Sequence, residues 1–170
     1  LLRYQGQIGI QEIPARQLEA KRIFGYVPEI PAMFEALTVR EHIEYIRKAY
    51  ASSITDEEVE ALLERFELKD KQDKLGNELS KGMMQKVSIC CALAIRPKVI
   101  LLDEPMVGLD PRAIKELKET VRELRDQGVT ADQYPYAGDG GRSVGCDVCD
   151  GKGEDHRFLP QIRSRRERSR

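Results

Sequence analysis

The amino-acid sequence predicts a mixed α/β fold, with a helical region beside a parallel sheet. Residues 99–102 form a continuous apolar stretch that is too short for most helices, as expected of a strand buried on both faces of such a sheet. Helical patterns precede and follow this stretch, and several begin at a residue that can cap a helix. The 170 residues suffice for one modest domain.

Two shorter strands are expected upstream. Gln7 to Ile10 and Arg22 to Val27 are the candidates, and a polar loop that contains Pro14 separates them. Both lie ahead of the helical region, so the order of elements along the chain is strand, strand, helices and then the apolar strand.

Capping boxes mark the starts of two helices. Thr38 pairs with Glu41 and Thr55 pairs with Glu58, at the spacing that the motif requires. A periodic apolar stripe follows each box, with Val39, Ile43 and Ile46 in the first and Val59, Leu62, Leu63 and Phe66 in the second. We therefore expect a helical region over about residues 38–95.

A third helix is expected after Ser80, whose hydroxyl can accept a hydrogen bond from a free backbone N–H group. Gly82 leaves room for a ligand close to the backbone of the first turn. Unpaired N–H groups and the helix dipole both favour negative charge, so this helix start is a candidate phosphate site.

Two carboxylates, Asp103 and Glu104, follow the apolar strand. Open α/β sheets bind ligands at the carboxyl ends of their strands. Adjacent strand residues point to opposite sides, so the two acids are expected to have different roles. After a Gly-Leu-Asp turn, Asp110 caps a last helix that has Pro111 at its first position and ends at Gly128.

Residues 79–110, taken together, resemble the ATP-binding subunits of ABC transporters. They read LSKGMMQKVSICCALAIRPKVILLDEPMVGLD. The helix start resembles the family's signature motif, the strand with its two acids resembles the Walker B motif, and the Gly-Leu-Asp turn resembles the D-loop. The resemblance implies that residues 1–130 form part of a P-loop NTPase-like ABC ATPase core, with an α-helical signature subdomain over about residues 38–95.

The resemblance also implies that ATP and Mg²⁺ are the cofactors. Asp103 matches the residue that holds Mg²⁺ through water, and Glu104 matches the catalytic residue that polarises the attacking water. Glu29, in the turn GYVPE, stands where most members carry the Q-loop glutamine that contacts both. A glutamate can still coordinate Mg²⁺ but adds negative charge beside phosphate. Some bacterial exporter ATPases resemble this chain in having Pro-Glu here, which favours that subgroup.

Subunits of the family pair head to tail, so a second ATP-binding subunit is an implied partner. The resemblance implies that Ser80, Gly82 and Gln85 face ATP held by that second subunit. Asp110, at the end of the D-loop, is assigned to the same nucleotide site.

A transmembrane permease subunit is the other implied partner. Pro28, Pro31, Met33 and Phe34 lie where the family docks the permease's coupling helix, although Met33 and Phe34 could equally be core residues. No apolar run approaches the roughly 20 residues of a membrane helix, so we expect a cytoplasmic chain held at the inner face of the membrane by its partner. The net charge of −1 provides no electrostatic case for nucleic acid.

Two features of the family are missing from the sequence. The phosphate loop G-x-x-x-x-G-K-[ST] does not occur. Because the family places it before the strand at residues 7–10, we expect the chain to lack an amino-terminal part. The Ser-Thr-His switch is also absent, and residues 131–170 are poor in apolar residues and show no periodicity, so this tail is expected to be loosely packed or disordered.

The tail has the character of an out-of-frame translation. Its codons, read one base later, permit Leu-Ile-Ser-Thr-His-Met-Leu over residues 131–137, which resembles the switch segment. The same shifted frame permits a second family-like stretch over residues 147–156. Without the phosphate-loop lysine and the switch histidine, the chain alone is expected not to hydrolyse ATP.

The alternative function is that of a non-catalytic interaction protein whose tail binds zinc or nucleic acid. Cys146 to Gly153 fits one CxxCxGxG repeat of DnaJ-type zinc-binding domains, and the chain ends in RSRRERSR. A structural zinc site needs about four ligands, however, and one repeat supplies two. Cys90 and Cys91 are expected to be buried, reduced thiols of the third helix.

Overall fold

The computed structural model describes residues 9–11 and 13–134, with side chains up to residue 131. In chain order the elements are β1 (Gly9–Ile10), β2 (Ile13–Pro14), α1 (Leu18–Arg22), β3 (Phe24–Val27), α2 (Val39–Ala49), α3 (Asp56–Arg65), two 3₁₀ turns (Lys69–Lys71 and Gly76–Glu78), α4 (Lys81–Ala94), β4 (Val99–Asp103), α5 (Pro111–Asp126) and β5 (Thr130–Tyr134). The predictions for residues 1–8 and 135–170, including the zinc repeat and the Arg-rich end, lie outside the described residues.

A parallel three-stranded sheet in the order β3-β4-β5 is the centre of the fold. Val27 at the end of β3 is paired with Leu102 of β4, and Asp103 is paired with Tyr134 of β5. The carboxyl ends of all three strands therefore lie at one edge of the sheet. The expected mixed α/β fold, with β4 as the middle strand, is confirmed.

The upstream strands differ in part from the expectation. Gly9–Ile10 is paired antiparallel with Ile13–Pro14, so Pro14 lies in a strand and not in a loop. A proline is tolerated there because both strands of a two-stranded sheet are edges. The second expected strand begins at Phe24 and not at Arg22, because Leu18–Arg22 forms a short helix.

The helical lobe consists of α2, α3 and α4, and both predicted capping boxes are present. The backbone N–H of Glu41 donates to the Thr38 hydroxyl at 3.2 Å, and the Glu41 carboxylate accepts from the backbone N–H of Thr38 at 2.8 Å. Thr55 and Glu58 repeat the arrangement at α3. These reciprocal bonds satisfy backbone donors that the first turn of each helix would otherwise leave unpaired.

The core lies between this lobe and the sheet. Its largest fully buried side chains come from α2, α3 and the segment after it, α4, β4 and α5, and they include Ile43, Leu63, Phe66, Leu68, Ile89, Ile100 and Leu117. Cys90 and Cys91 are free thiols in α4. Burial raises the pKa of both thiols, that of Cys91 to about 12. Cys90 is fully buried, as expected, whereas Cys91 is only partly buried.

The middle strand β4 is fully buried on one face. Ile100 and Leu102 are almost inaccessible, whereas Val99 and Leu101 are only half-buried by the described residues. The expectation of equal burial on both faces is therefore met on one side of the strand. The apolar run indicates a strand, but it does not show what packs against each face, because that depends on the tertiary structure.

The sheet continues into the tail that was expected to be disordered. Residues 130–134 form β5, and Ala131 is buried. The backbone N–H of Thr130 also donates to the Lys98 carbonyl at 2.9 Å. Strand pairing uses backbone groups that every residue carries, so the free edge of β4 can order a segment without an apolar pattern. The expected disorder is thus wrong for residues 131–134.

A buried lysine ties the helical lobe to α5. Asp110 caps α5 through its Oδ1 atom, which accepts from the Ala113 N–H at 2.9 Å, and its Oδ2 atom accepts from Lys86 Nζ of α4 at 2.7 Å. Lys86 also lies 3.5 Å from a Glu67 carboxylate oxygen, after α3. Hydrogen bonds from Lys86 and then from Ala113 lower the pKa of Asp110 from 3.8 to about 2. The Lys86 ammonium therefore joins α4 to the segment after α3 and to the start of α5.

We predict that Asp110→Asn destabilises the chain by about 1–2 kcal/mol at pH 7. Asparagine still caps the helix but cannot form an ion pair with the buried lysine, and the effect is modest because the Asp110 side chain is 46% exposed. A folded-state pKa below the ordinary value contributes stability above about pH 4, and this contribution is lost as the pH falls through about 2. The difference between wild type and variant in urea unfolding should therefore vanish near pH 2.

Glu119→Gln is the matched control. Glu119 pairs with Lys115 on the exposed face of the same helix, 3.8 Å away, so its loss should change stability by less than about 0.5 kcal/mol. Equal effects of the two substitutions, or a pH-independent effect of Asp110→Asn, would contradict the role given to the Lys86 pair.

Candidate functional site

The carboxyl end of β4 holds an acid that is already oriented by a neighbouring strand. The Asp103 carboxylate accepts a hydrogen bond from the Tyr26 hydroxyl of β3 at 3.1 Å. Tyr26 is paired with Leu101, two residues before Asp103, so both side chains project from the same face of the sheet. Partial burial, followed by the hydrogen bond and the charge of Asp103, raises the pKa of Tyr26 above its ordinary value.

Glu104 leaves the strand in a left-handed backbone conformation, with φ of 45°. Such a conformation is uncommon for a residue other than glycine and costs on the order of 1 kcal/mol or more. A tight turn follows, in which the N–H of Val107 donates to the Glu104 carbonyl at 3.1 Å. The two acids are adjacent in sequence but differ in backbone geometry, which agrees with separate roles.

The start of α4 has the predicted cap. The Ser80 hydroxyl accepts from the N–H of Met83 at 3.3 Å, and the Ser80 carbonyl accepts from the N–H of Met84 at 2.9 Å. The N–H groups of Lys81 and Gly82 precede these bonds in the first turn of the helix, where no intrahelical carbonyl is in reach. Ser80 is exposed, and Lys81 adds a positive charge beside it. The arrangement suits an anion.

The helix start and the turn after β4 are in close contact at Gly82. A Cβ atom at this position would lie 2.5 Å from the carbonyl oxygen of Gly108, closer than such atoms ever approach in real structures. The side chain of Lys81 lies over Gly108 from the same side. Gly82 is therefore needed for contact with the chain's own backbone, whether or not a ligand also approaches it.

Gln85 does not lie where the sequence argument placed it. Its side chain is completely buried, and its Nε2 atom donates to the Pro28 carbonyl at 3.4 Å. In this geometry Gln85 cannot face a nucleotide on another subunit, so that assignment is corrected. It lies on the core-facing side of α4, one turn beyond the exposed cap, and it joins the helix to the turn after β3. Its Oε1 atom has no hydrogen-bond partner among the described residues.

The turn after β3 carries exposed side chains. Glu29 is exposed beyond the carboxyl end of β3, at the same sheet edge as Asp103. Ile30 is 75% exposed, Phe34 is 55% exposed and Tyr45 of α2 is 52% exposed. The Phe34 and Tyr45 rings contact each other edge to face, with centroids 5.4 Å apart. We call these three apolar side chains the docking surface.

The sequence left open whether Met33 and Phe34 are exposed for contact with a partner or belong to the core, and the two residues differ. Phe34 is exposed and is not a core residue, whereas Met33 is partly buried against the core. Pro31 is buried. No sequence pattern distinguishes the environments of Phe34 and Met33, because loop residues have no periodicity from which a buried face can be predicted.

Sequence reasoning missed two residues that hold the site together. Tyr26 could have been found only from the register of β3 against β4, since 77 residues separate it from Asp103. Lys86 carried a weaker signal, a charge within a helix segment that is otherwise buried. Both act on acids that the motifs had identified, Asp103 and Asp110.

The donor atoms at the sheet edge fit Mg²⁺ bound in its usual manner. Among the described residues no cluster of three or more His, Cys, Asp or Glu side chains could hold a metal ion. Mg²⁺ typically retains several waters and takes only one or two protein carboxylates together with phosphate oxygens. Asp103 and Glu104 provide such carboxylates, so the site fits a magnesium–nucleotide complex better than a metal held by protein alone.

Within the part of the chain that the structure describes, no helix has both the length and the apolar character needed to cross a membrane.

Comparison with known proteins gives a consistent result. A model of the ABC transporter family matches residues 1–107. The lipopolysaccharide export system ATP-binding protein LptB of Haemophilus influenzae is 38% identical over 113 residues, which cover 65% of this chain and 47% of LptB. The ABC-type transporter ATP-binding protein EcsA of Bacillus subtilis is 38% identical over 109 residues, 63% of this chain and 44% of EcsA. The chain thus spans about half the length of these curated relatives.

Solved structures agree. A structure described as the ATP binding subunit of an ABC transporter superposes with a TM-score of 0.69 at 34% identity, over 76% of this chain and 55% of that one. A bacterial Atm1-family ABC exporter with ATP bound shares the fold, with a TM-score of 0.64 at 24% identity over 77% of this chain and 24% of that one. On the strength of the motifs, the sheet order and these matches, the chain belongs to the ABC transporter family.

Proposed function

We propose that this chain contributes the signature half-site and the Walker B acids of an ATP-hydrolysing subunit of an ABC-type membrane transporter. The observation that carries the proposal is the contact between Gly82 and Gly108, which holds the start of α4 beside the turn after Asp103 and Glu104. A phosphate-binding helix start and a pair of acids are thereby kept in a fixed relation. Family membership supports ATP as the nucleotide.

The two acids are proposed to have separate roles. Asp103 would hold the water shell of Mg²⁺, and the Tyr26 hydroxyl would fix one of its oxygens. Glu104 would orient and polarise the attacking water from its position just past the strand. When bound, Mg²⁺ neutralises charge on the phosphate oxygens. Exposed Glu29, at the same edge, would lie near the metal, where its charge replaces the neutral amide of most members.

The helix start is proposed to act across a subunit interface. Ser80 is exposed and Gly82 is half-buried at the start of α4, so the first turn can contact a phosphate held by a second subunit. Asp110 has both carboxylate oxygens engaged, one with Ala113 and one with Lys86. We propose that it positions the D-loop and not that it contacts the nucleotide.

The docking surface is proposed to contact a transmembrane permease. Three exposed apolar side chains follow the turn that carries Glu29 or lie on α2, so a movement of that turn would reach the partner. Pro28-Glu29, together with the export system in the name of the LptB relative, favours an exporter.

The isolated 170-residue chain is proposed to be inactive. Its sequence contains no phosphate loop and no switch histidine in the family's position. Phosphoryl transfer depends on positioning and on charge stabilisation, and loss of one such contact typically costs on the order of 10²-fold in rate. Loss of both the phosphate loop and the switch histidine should leave no hydrolysis above background.

We predict that Asp103 and Glu104 support ATP hydrolysis when a relative supplies the segments that this chain lacks. A chimaera in which the matched 113-residue segment of this chain replaces its counterpart in H. influenzae LptB should hydrolyse ATP with Mg²⁺. Glu104→Gln in that chimaera should lower the rate by about 10²-fold or more, because the amide cannot take up a proton. Phosphate release measures both.

A neutral change at an exposed acid is the control. Glu64→Gln lies on α3 and should leave the rate of the chimaera unchanged. A folded chimaera, with a cooperative thermal transition, whose hydrolysis is insensitive to Glu104→Gln would overturn the role of Glu104. Hydrolysis by the isolated chain that Glu104→Gln abolishes would overturn its proposed inactivity.

The proposed contact between the start of α4 and a nucleotide on a second subunit can be tested separately. In the chimaera that carries Glu104→Gln, ATP should produce a dimer that is detected by light scattering, since hydrolysis no longer separates the subunits. Ser80→Arg should abolish this dimer, because a large side chain then fills the exposed start of α4. A dimer that forms equally well with Ser80→Arg would show that the helix start does not contact nucleotide.

The docking surface is tested by fractionation. In cells of the source organism, the chain should sediment with membranes, and Phe34→Glu should move it to the supernatant because a charge is costly in an apolar interface. Leu18→Glu is the matched control, since Leu18 is equally exposed, at 58%, but lies on α1. If both substitutions release the chain, or if neither does, the docking surface is wrongly placed.

A further inference from the structure

His42 is a buried histidine beneath the docking surface that the proposed chemistry does not use. It lies in the first turn of α2, is only 4% exposed and has its ring 6.0 Å from the ring of Phe34. Both ring nitrogens are engaged with the backbone. Nε2 is 2.9 Å from the amide nitrogen of Phe34, and Nδ1 is 2.7 Å from the carbonyl oxygen of Thr38.

These two contacts define the protonation state of the ring. The amide of Phe34 can only donate, so Nε2 must present its lone pair. The carbonyl of Thr38 can only accept, so Nδ1 must carry the proton. The histidine is therefore neutral and in the Nδ1–H tautomer, which is the less populated tautomer of free histidine in water.

Protonation would remove one of these contacts. A proton on Nε2 would point at the N–H of Phe34, and two donors repel each other at this distance. The bond to Thr38 would remain, because Nδ1 carries a proton in both states. The change would thus act on the segment that carries Phe34 and would leave the cap of α2 in place.

The Phe34 segment depends on few other backbone contacts. The N–H of Leu37 donates to the Phe34 carbonyl at 3.2 Å, and the N–H of Gly76 donates to the Leu37 carbonyl at 2.9 Å. The Phe34 carbonyl also lies directly against Gly76, where a Cβ atom would collide with it. The carbonyl side of Phe34 is therefore held by the loop before α4, and its amide side is held by His42.

We infer that His42 is a proton-operated latch, which fixes Phe34 in the docking surface while its ring is neutral and releases it when the ring is protonated. Histidine is the side chain that most readily gains or loses a proton near neutral pH, so a proton is the chemical signal that can operate such a latch. The released state binds one more proton than the held state. Falling pH therefore favours release.

Two carboxylates near His42 have backbone partners of their own. Besides His42, the ionisable groups of α2 are Arg40, Glu41, Glu44, Tyr45, Arg47 and Lys48. The adjoining segments carry Glu35, Asp73, Lys74 and Glu78, and α4, which packs against α2, carries Lys81 and Lys86. Hydrogen bonds from Thr38 lower the pKa of Glu41. The Glu78 carboxylate accepts from the N–H of Leu75. Both carboxylates are thus engaged with backbone donors.

The latch rests on the proposed function only for its biological consequence, which is control of contact with the permease. The state of the ring can be measured on the isolated chain, without any partner. Failure of the latch is therefore distinguishable from failure of the docking role, which the membrane fractionation tests separately.

The first measurement is the tautomer. Nitrogen NMR of the histidine side chains of the 170-residue chain at pH 7.5 should show His42 with a protonated Nδ1 and an unprotonated Nε2. His42→Gln identifies its signals by their loss, since the sequence has two histidines. A charged ring, or the Nε2–H tautomer, at pH 7.5 would overturn the inference.

The second measurement is hydrogen exchange at the Phe34 amide, corrected for the intrinsic effect of pH. Protection of the Phe34 amide should be about 5- to 100-fold lower at pH 5 than at pH 7.5, the range expected when a buried donor loses its acceptor. The amide of Met84, which donates to the Ser80 carbonyl, is the internal control and should keep its protection.

Two variants separate the latch from a packing role. His42→Gln should protect the Phe34 amide equally at both pH values, because an amide oxygen accepts but does not titrate in this range. His42→Leu should leave it unprotected at both. If protection in the wild type is independent of pH while the His42 signals titrate, or if His42→Gln retains the pH dependence, the latch is ruled out.

Discussion

The start of α4 lies so close to the turn after β4 that no side chain fits between them at position 82. A Cβ atom there would lie 2.5 Å from the Gly108 carbonyl, and neither backbone can yield without displacing a helix or the end of a strand. Four residues further along the same helix, Lys86 pairs with Asp110 at 2.7 Å and draws the start of α5 to it. The signature helix, the two acids and the D-loop therefore behave as one unit, and the chemistry proposed for each depends on the others.

Hydrogen bonds also connect α4 to the docking surface. Gln85 donates from the buried face of α4 to the Pro28 carbonyl, and its other polar atom lacks a partner among the described residues. The turn that begins at Pro28 carries Glu29 and then Phe34, whose amide is held by His42. The contacts of Gln85 with Pro28 and of His42 with Phe34 are single hydrogen bonds, whereas the Phe34 carbonyl is packed against Gly76.

Local features could be predicted from the sequence and tertiary ones could not. The caps at Thr38, Thr55, Ser80 and Asp110 were predicted correctly, because a cap depends on residues within one turn. Gln85 was misplaced because a motif fixes spacing along a helix but not which face is buried. Tyr26 and the end of β5 depend on strand register, which only the folded sheet defines. No sequence pattern identifies the role of His42, because both hydrogen-bond partners of its ring are backbone atoms.

The most direct test of this account is a crystal structure of the LptB chimaera carrying Glu104→Gln, with ATP and Mg²⁺ bound. The account predicts a head-to-tail dimer in which the Ser80 hydroxyl lies within hydrogen-bond distance of the γ-phosphate held by the opposite subunit. Gly82 should remain against Gly108, and Gln85 should remain buried against Pro28. A dimer in which Gln85 contacts the nucleotide, or in which the start of α4 has separated from the turn after β4, would contradict it.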